Sequence, residues 1–354
     1  MENFYQIAIR TPTSEGSTVM KFPIGDRKFP YPKELTPKEL LTKLNKVVIG
    51  QDNAKKKAVA AVVTHIMRGI TNTSNNETSK IKNNLLLIGP TGCGKTLILQ
   101  TLADVANIEL IKIDATKLSP TGYVGSSIEG ELAFKLEEAV QKHGKSVEYS
   151  IVFIDEIDKL ANTGSVGDGE FSSRIQSTLL TIIEGTIIKV SVGNKSYIEV
   201  NTGNMLFVFA GNFQKVRETR VASKKTIGFG GIPIQTSLDP DITEELVKSG
   251  IIEELVSRMH TIAELTQLNR EEYKKVLLES EASPYVQYKK YMQLLGLEEG
   301  LSESAINAIV DKAMTKKTGL RGLTALVAQE FEDLVLESDY SNIQVPAKGE
   351  GGVI

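Results

Sequence analysis

Residues 85–96 read LLLIGPTGCGKT, an apolar run that breaks into glycines and then into helix-forming residues. No other stretch restricts the fold so tightly, because it demands a buried strand, a tight loop and a helix in immediate succession. The loop fits G-x-x-x-x-G-K-[ST]: Gly89, Gly94, Lys95 and Thr96 hold the fixed positions, and Pro90, Thr91, Gly92 and Cys93 lie between them. Glycines let backbone N–H groups turn inward around phosphates, where a Cβ would clash or forbid the dihedrals. Lys95 places a point charge at the β and γ oxygens, and Thr96 offers a hydroxyl to Mg²⁺. Leu97 continues into a helix whose positive N-terminal end faces the same anion. Further along, IVFIDEID repeats the theme of a fully apolar strand, Ile151–Ile154, now ending in Asp155 and Glu156. Carboxylates at the carboxyl edge of a parallel sheet lie beside a phosphate loop, with Asp155 holding Mg²⁺ through its water shell and Glu156 polarising the attacking water. The two segments together read as an ATP hydrolysis site with ATP and Mg²⁺ as cofactors.

Bulk composition is consistent with that reading and narrows the alternatives. A length of 354 residues with 41% hydrophobic residues suffices for the cores of two or three domains. Net charge is −3 and the isoelectric point about 5.9, so no overall positive field recruits nucleic acid. Cys93 is the single cysteine, which excludes an intrachain disulfide and a cysteine zinc module and fits a reducing cytoplasm. No run approaches the ~18 apolar residues of a membrane span, and the polar start MENFYQ lacks the shape of a signal peptide, so no membrane association and a cytoplasmic location are expected. His65, His143 and His260 are too scattered for a metal site.

The pattern along the chain predicts an N-terminal extension over 1–35, a large α/β ATPase domain over 36–262, a small helical domain over 263–340 and a mobile tail over 341–354. Within the extension only FYQIAI looks strand-like. Thr36 and Pro37 open a helix through Leu44 as N-cap and first helical residue. Apolar residues after Gln51 recur at helical spacing, and TNTSNNETSK, residues 71–80, reads as a polar loop. LLLI, IELIKI, IVFID and MLFVFA alternate with helical stretches, the signature of a parallel sheet with helices on both faces. IIKVSV and SYIEV around Gly193 and Asn194 predict a hairpin. After about Thr261 strand signals stop and helical patterns take over.

Further segments narrow the family. VVIGQDNAKKKA, GPTGCGKTL, DATKLSPTGYVG, IVFIDEIDK, LLTIIEGT, TIGFG and KKTGLRGL occur in this order between residues 47 and 323. Their content and order resemble the AAA+ ATPases of the Clp group, and among them the ClpX-type unfoldases, over roughly residues 38–340. The resemblance implies that Val48 and Ile49 help hold the adenine, and that Asn212, after the strand MLFVFA, is the sensor 1 residue facing the attacking water. It implies that Arg321 is the sensor 2 arginine reaching back to the nucleotide from the helical domain. A cation in the first turn of a helix opposes the macrodipole, which favours a functional reason for Arg321. Arg258, in ELVSRMH, falls where the family has an arginine finger offered to a neighbour's γ-phosphate. Met259 and His260 replace the family's Leu-Pro there, and Arg174, Arg217 and Arg220 compete for the role.

Gly122-Tyr123-Val124-Gly125 is a glycine-flanked loop with an apolar tip, which a monomer would hide. In the family such a loop lines the ring's channel and grips protein substrates, so Tyr123 and Val124 are the candidate grip. NTGSVGDGEF, residues 162–171, falls at the second channel-loop position. Ile227, Gly228 and Phe229 match a loop by which ClpX-type rings dock a ClpP-like peptidase. Two departures stand out: one cysteine cannot build the family's N-terminal zinc-binding domain, and the basic substrate-selecting loop is replaced by the short Gly193-Asn194 turn with Lys195 nearby. The expectation is a homo-oligomeric hexamer ring that unfolds protein by hydrolysing ATP, rotating the helical domain against the α/β domain. Two rivals remain, a nucleic-acid motor or loader and a regulatory ATPase that does not thread. DNA channels favour lysine and arginine over Tyr123 and Val124, and the acidic balance also disfavours the first rival.

Overall fold

The computed structural model describes residues 4–9, 18–23, 35–75, 82–119, 127–161, 168–192, 196–225, 242–294, 301–315 and 320–337. β1 (Phe4–Ile9) and β2 (Thr18–Pro23) pair antiparallel, so the strand expected at FYQIAI has a partner in TVMKFP that the sequence did not reveal. α1 (Pro37–Val47) opens as predicted: Thr36 N–H donates to Glu39 Oε2 at 2.7 Å, and Glu39 N–H donates to Thr36 Oγ1 at 3.2 Å. This reciprocal pairing satisfies donors that a helix start otherwise leaves open. α2 (Asp52–Asn75) continues into the segment expected as a polar loop, because each added residue of a formed helix gains a backbone bond even when its side chain is polar.

β3 (Leu85–Ile88), α3 (Lys95–Ala106), β4 (Leu110–Asp114), α4 (Ile128–His143), β5 (Ile151–Asp155) and α5 (Asp168–Glu184) alternate along the chain. Residues 168–171, expected within a channel loop, form the first turn of α5. β6 (Ile187–Ser191) and β7 (Tyr197–Asn201) make the predicted hairpin, with Ile188 opposite Val200 and Val190 opposite Ile198 on its buried face. β8 (Leu206–Gly211), α6 (Gln214–Lys225), α7 (Ile242–Lys248), α8 (Glu253–Ser257) and β9 (Thr261–Glu264) follow.

The main sheet has five parallel strands in the order β4-β5-β8-β3-β9. β9 corrects the expectation that strands end near Thr261; TIAE is short and weakly apolar, and pairing with β3 is what makes it a strand. Successive side chains alternate between faces. Leu86, Ile88, Ile113, Ile154 and Phe209 share a core with Leu132 and Leu136 of α4 and Leu179 and Ile183 of α5. Leu85, Leu87, Phe153 and Val208, equally buried, point to the opposite face, and α2 and α3 contact the sheet. With both faces covered, β3, β5 and β8 can be apolar throughout, which is why they were legible as runs.

The chain divides into two compact units: 1–44, 51–90 and 95–266 form the first, and 45–50, 91–94 and 267–354 the second. In the second, α9 (Arg270–Glu279), α10 (Pro284–Leu294), α11 (Glu303–Thr315) and α12 (Arg321–Glu337) surround a core of Tyr273, Leu277, Ile309, Val310, Leu323 and Val327.

Candidate functional site

The carboxyl ends of four strands lie level. Ile88 is opposite Gly211, Ile154 opposite Phe209, and Asp155 opposite Asp114. From β3 the chain enters the phosphate loop, and Gly89 N–H donates to Gly211 O at 3.1 Å, tying the loop's first residue to the end of β8. Gly92 and Gly94 adopt φ of +75° and +103°, a region that L side chains avoid. Lys95 Nζ donates to Gly89 O at 2.7 Å and Pro90 O at 2.9 Å, so the ammonium lies over the loop itself. Thr96 and Leu97, half-buried, occupy the first turn of α3.

Asp155 ends β5 and accepts the Glu156 N–H at 2.9 Å. Glu156 takes a left-handed conformation, φ 57° and ψ 33°, and is exposed. A non-glycine residue held there turns the chain sharply, so consecutive carboxylates leave the strand in different directions. The sequence placed these carboxylates beside the phosphate loop; the strand order puts β8 between β5 and β3. The residue following β8, Asn212, therefore comes between the carboxylates and the loop along the sheet edge. Its backbone N–H donates to Asp158 Oδ1 at 3.1 Å, and its side-chain Oδ1 accepts from Arg217 Nη1 at 2.8 Å. Asp158 and Gly211 were not singled out as site residues from sequence, and Arg217 was named only as a competitor for the finger role, not as a partner of Asn212; the spacing Asp155-x-x-Asp158 was the only local hint.

Several predicted residues belong to the second unit. Val48 is buried and lies against Gly94, 3.9 Å from where a Cβ would stand. Ile49 packs on the helical core. Cys93 is buried, Thr91 exposed, and Gly92 O accepts the Leu320 N–H at 3.3 Å. Arg321 is the first residue of α12, as the sequence indicated.

Arg258 lies elsewhere. It caps α8, its carbonyl accepts from Asn84 Nδ2 at 3.1 Å, and its Nη2 pairs with Glu184 Oε1 at 2.6 Å. Asn84 directly precedes β3 and Thr261 N–H bonds to its carbonyl, so Arg258 stands at the amino edge of the sheet. The phosphate loop leaves the other edge, roughly 16 Å away over the five residue steps from Asn84 to Gly89. Burial, with Arg258 and Lys82 beside it, holds the His260 imidazole below its ordinary range. Of the competing arginines, Arg217 bonds Asn212 and Arg220 pairs with Glu264 at 3.0 Å, both at the carboxyl edge of their own sheet. Arg174 pairs with Glu170 at 2.7 Å on the surface of α5. Tyr123, Val124, Ile227, Gly228 and Phe229 lie outside the described residues, as do 162–167 and the Gly193-Asn194 turn.

The Lys95 ammonium and the N-terminus of α3 offer donors and positive charge, which fits a polyphosphate. The Thr96 hydroxyl and Asp155 carboxylate are hard oxygen ligands suited to Mg²⁺. Among the described residues no three His, Cys, Asp or Glu gather to hold a metal, so a cation here would rely on these two and on the phosphates. No helix among the described residues is long and apolar enough to cross a membrane.

A parallel sheet in this order, with a phosphate loop after a central strand and paired carboxylates two strands away, defines a nucleoside-triphosphatase fold. A family model for the AAA domain (Cdc48 subfamily) matches residues 80–262. The match covers more than half of the chain and runs from before β3 into β9; the chain belongs to this family and is an AAA+ ATPase.

Proposed function

We propose that the chain is an ATP-driven protein unfoldase working as a homo-oligomeric ring, a hexamer by family resemblance, in which Arg258 of one subunit completes the nucleotide site of the next. The placement of Arg258 carries this reading. A cation at the amino edge cannot serve its own phosphate loop, and a neighbour is the partner that gives it a γ-phosphate to face. AAA+ proteins commonly assemble as rings, which supports the same geometry.

Within a subunit the site supports the following division of roles. Lys95 and the N–H groups of 89–96 bind the phosphates, Thr96 and Asp155 hold Mg²⁺, and Glu156, exposed at the end of β5, polarises water. That Val48 and Ile49 hold the adenine and that Arg321 reaches the nucleotide rest on the motif resemblance. Bound Mg²⁺ supplies neutralisation of the charge that develops on the phosphates. The threading of protein by Tyr123 and Val124, and delivery to a ClpP-like peptidase through Ile227, Gly228 and Phe229, rest on the motif resemblance.

Two variants test the proposal. Glu156→Gln keeps ATP binding and loses turnover by about a hundredfold or more; an unchanged ATPase rate would end the mechanism. Tyr123→Ala keeps ATPase activity and loses unfolding of a fluorescent substrate, whereas a regulatory ATPase that does not thread would be indifferent to it. Proteins retained by the Glu156→Gln form in ATP identify the client, and a peptidase subunit among them decides the docking question.

A further inference from the structure

We propose that Arg217 is a positioning residue for Asn212, turning its amide so that the NH₂ half, rather than the carbonyl, meets the terminal phosphate of bound ATP. The proposal rests on the ATPase reading above and extends it to a residue with no assigned part in it. Arg217 Nη1 lies 2.8 Å from Asn212 Oδ1. A guanidinium has donors and no acceptor, so the amide oxygen must be the half that faces Arg217, whichever way an isolated asparagine would turn. The NH₂ is the half left to face a ligand.

The backbone around the pair is fixed from several sides. Asp158 Oδ1 accepts the Asn212 N–H at 3.1 Å, and Gly89 N–H holds Gly211 O at 3.1 Å, so Asn212 is anchored next to the first residue of the phosphate loop. Phe213, buried with φ of +46°, turns the chain from β8 into α6, and Arg217 N–H donates to Phe213 O at 3.0 Å as α6 begins. Arg217 thus sits in the first turn of α6, which begins two residues after Asn212.

The orientation has a chemical consequence. An amide carbonyl set against phosphate oxygens would oppose lone pair to lone pair, whereas an NH₂ donates to them. A donor at this place distinguishes a nucleotide that has a γ-phosphate from one that lacks it. Arg217 therefore sharpens the preference for ATP over ADP without touching either.

The test is equilibrium binding in a Glu156→Gln background, so that ATP survives, with Mg·ATP and Mg·ADP affinities measured by titration calorimetry. Asn212→Ala and Arg217→Ala should each weaken ATP about tenfold and leave ADP within about twofold, the scale of one lost hydrogen bond. The double variant should lose no more than either single one, because both remove the same interaction. Arg217→Lys, which still donates to the amide oxygen, should recover part of the loss. Asn212→Asp keeps its partner in Arg217 but has no donor to offer, so it should lose ATP preference as fully as Asn212→Ala; this variant carries the test if Arg217→Ala does not fold. An Arg217→Ala protein that melts like its parent and keeps the parent's ATP-to-ADP ratio overturns the proposal. Additive losses in the double variant, or an Asn212→Asp protein that still prefers ATP, overturn it equally. A Glu156→Gln parent that binds neither nucleotide defeats the ATPase reading itself, and this proposal with it.

Discussion

A methyl group at position 211 has nowhere to go: a Cβ there would lie 2.5 Å from Phe213 Cε2 and 2.8 Å from Asp158 Oδ1. Gly211→Ala should therefore destabilise the chain by about 1–3 kcal/mol, read as a lower urea midpoint. A second residue-scale prediction concerns pH. His65 is buried with Nε2 2.7 Å from Tyr149 O and Nδ1 3.2 Å from Arg68 Nη2, a setting for a neutral ring that donates from one nitrogen and accepts at the other. Burial, then the Arg68 charge, lowers its pKa from 6.5 to about 3. The unfolded chain then binds the proton more readily than the folded one, so stability is full above pH 6.5 and falls as pH drops toward 3. The slope contributed is up to about 1.4 kcal/mol per pH unit, and His65→Gln should remove that part of the acid sensitivity in urea titrations. Residues 89–96 and Asp155-Glu156 were legible in the sequence because their chemistry is written in adjacent positions. Gly211, Asp158 and the bond between Arg217 and Asn212 were not, because each is a contact that exists only once β5, β8 and α6 are assembled.

Elements were legible in proportion to how much of their burial is local. β5, with its first four residues buried, reads as an apolar run, and the β6–β7 hairpin reads by strict alternation, Ile188 and Val190 inward and Lys189 outward. β9 was missed since a four-residue edge strand owes its existence to hydrogen bonds with β3, and β2 since its partner is β1. One helix start, at Thr36, was transparent because its cap is a neighbour in sequence; the equivalent box at α9 came from the structure. In α9, Asn269 Oδ1 accepts the Glu272 N–H at 2.9 Å while Asn269 N–H donates to Glu272 Oε2 at 2.8 Å. Asn269→Ala should cost about 1 kcal/mol, visible as reduced hydrogen-exchange protection across the first turns of α9, while exchange in β3 and β5 stays as before.

At the scale of the whole molecule, one subunit holds a phosphate loop at one edge of its sheet and Arg258 at the other, and on the ring reading proposed above each subunit would be both a site and a reagent for another site. Glu184, bonded to Arg258 at 2.6 Å, occupies the guanidinium within its own chain, so on the proposed reading the neighbour's phosphate would have to compete with that carboxylate. The direct measurement is a mixing experiment with two inactive proteins, Lys95→Ala and Arg258→Ala, assayed for ATPase activity alone and combined in equal amounts. In a ring, about a quarter of the interfaces then join an intact phosphate loop to an intact Arg258, and activity should return to about that fraction of the unmodified protein. A mixture as inactive as its parts, from subunits shown to exchange and with Arg258→Ala still binding ATP, would contradict the assignment of Arg258 to its neighbour's nucleotide.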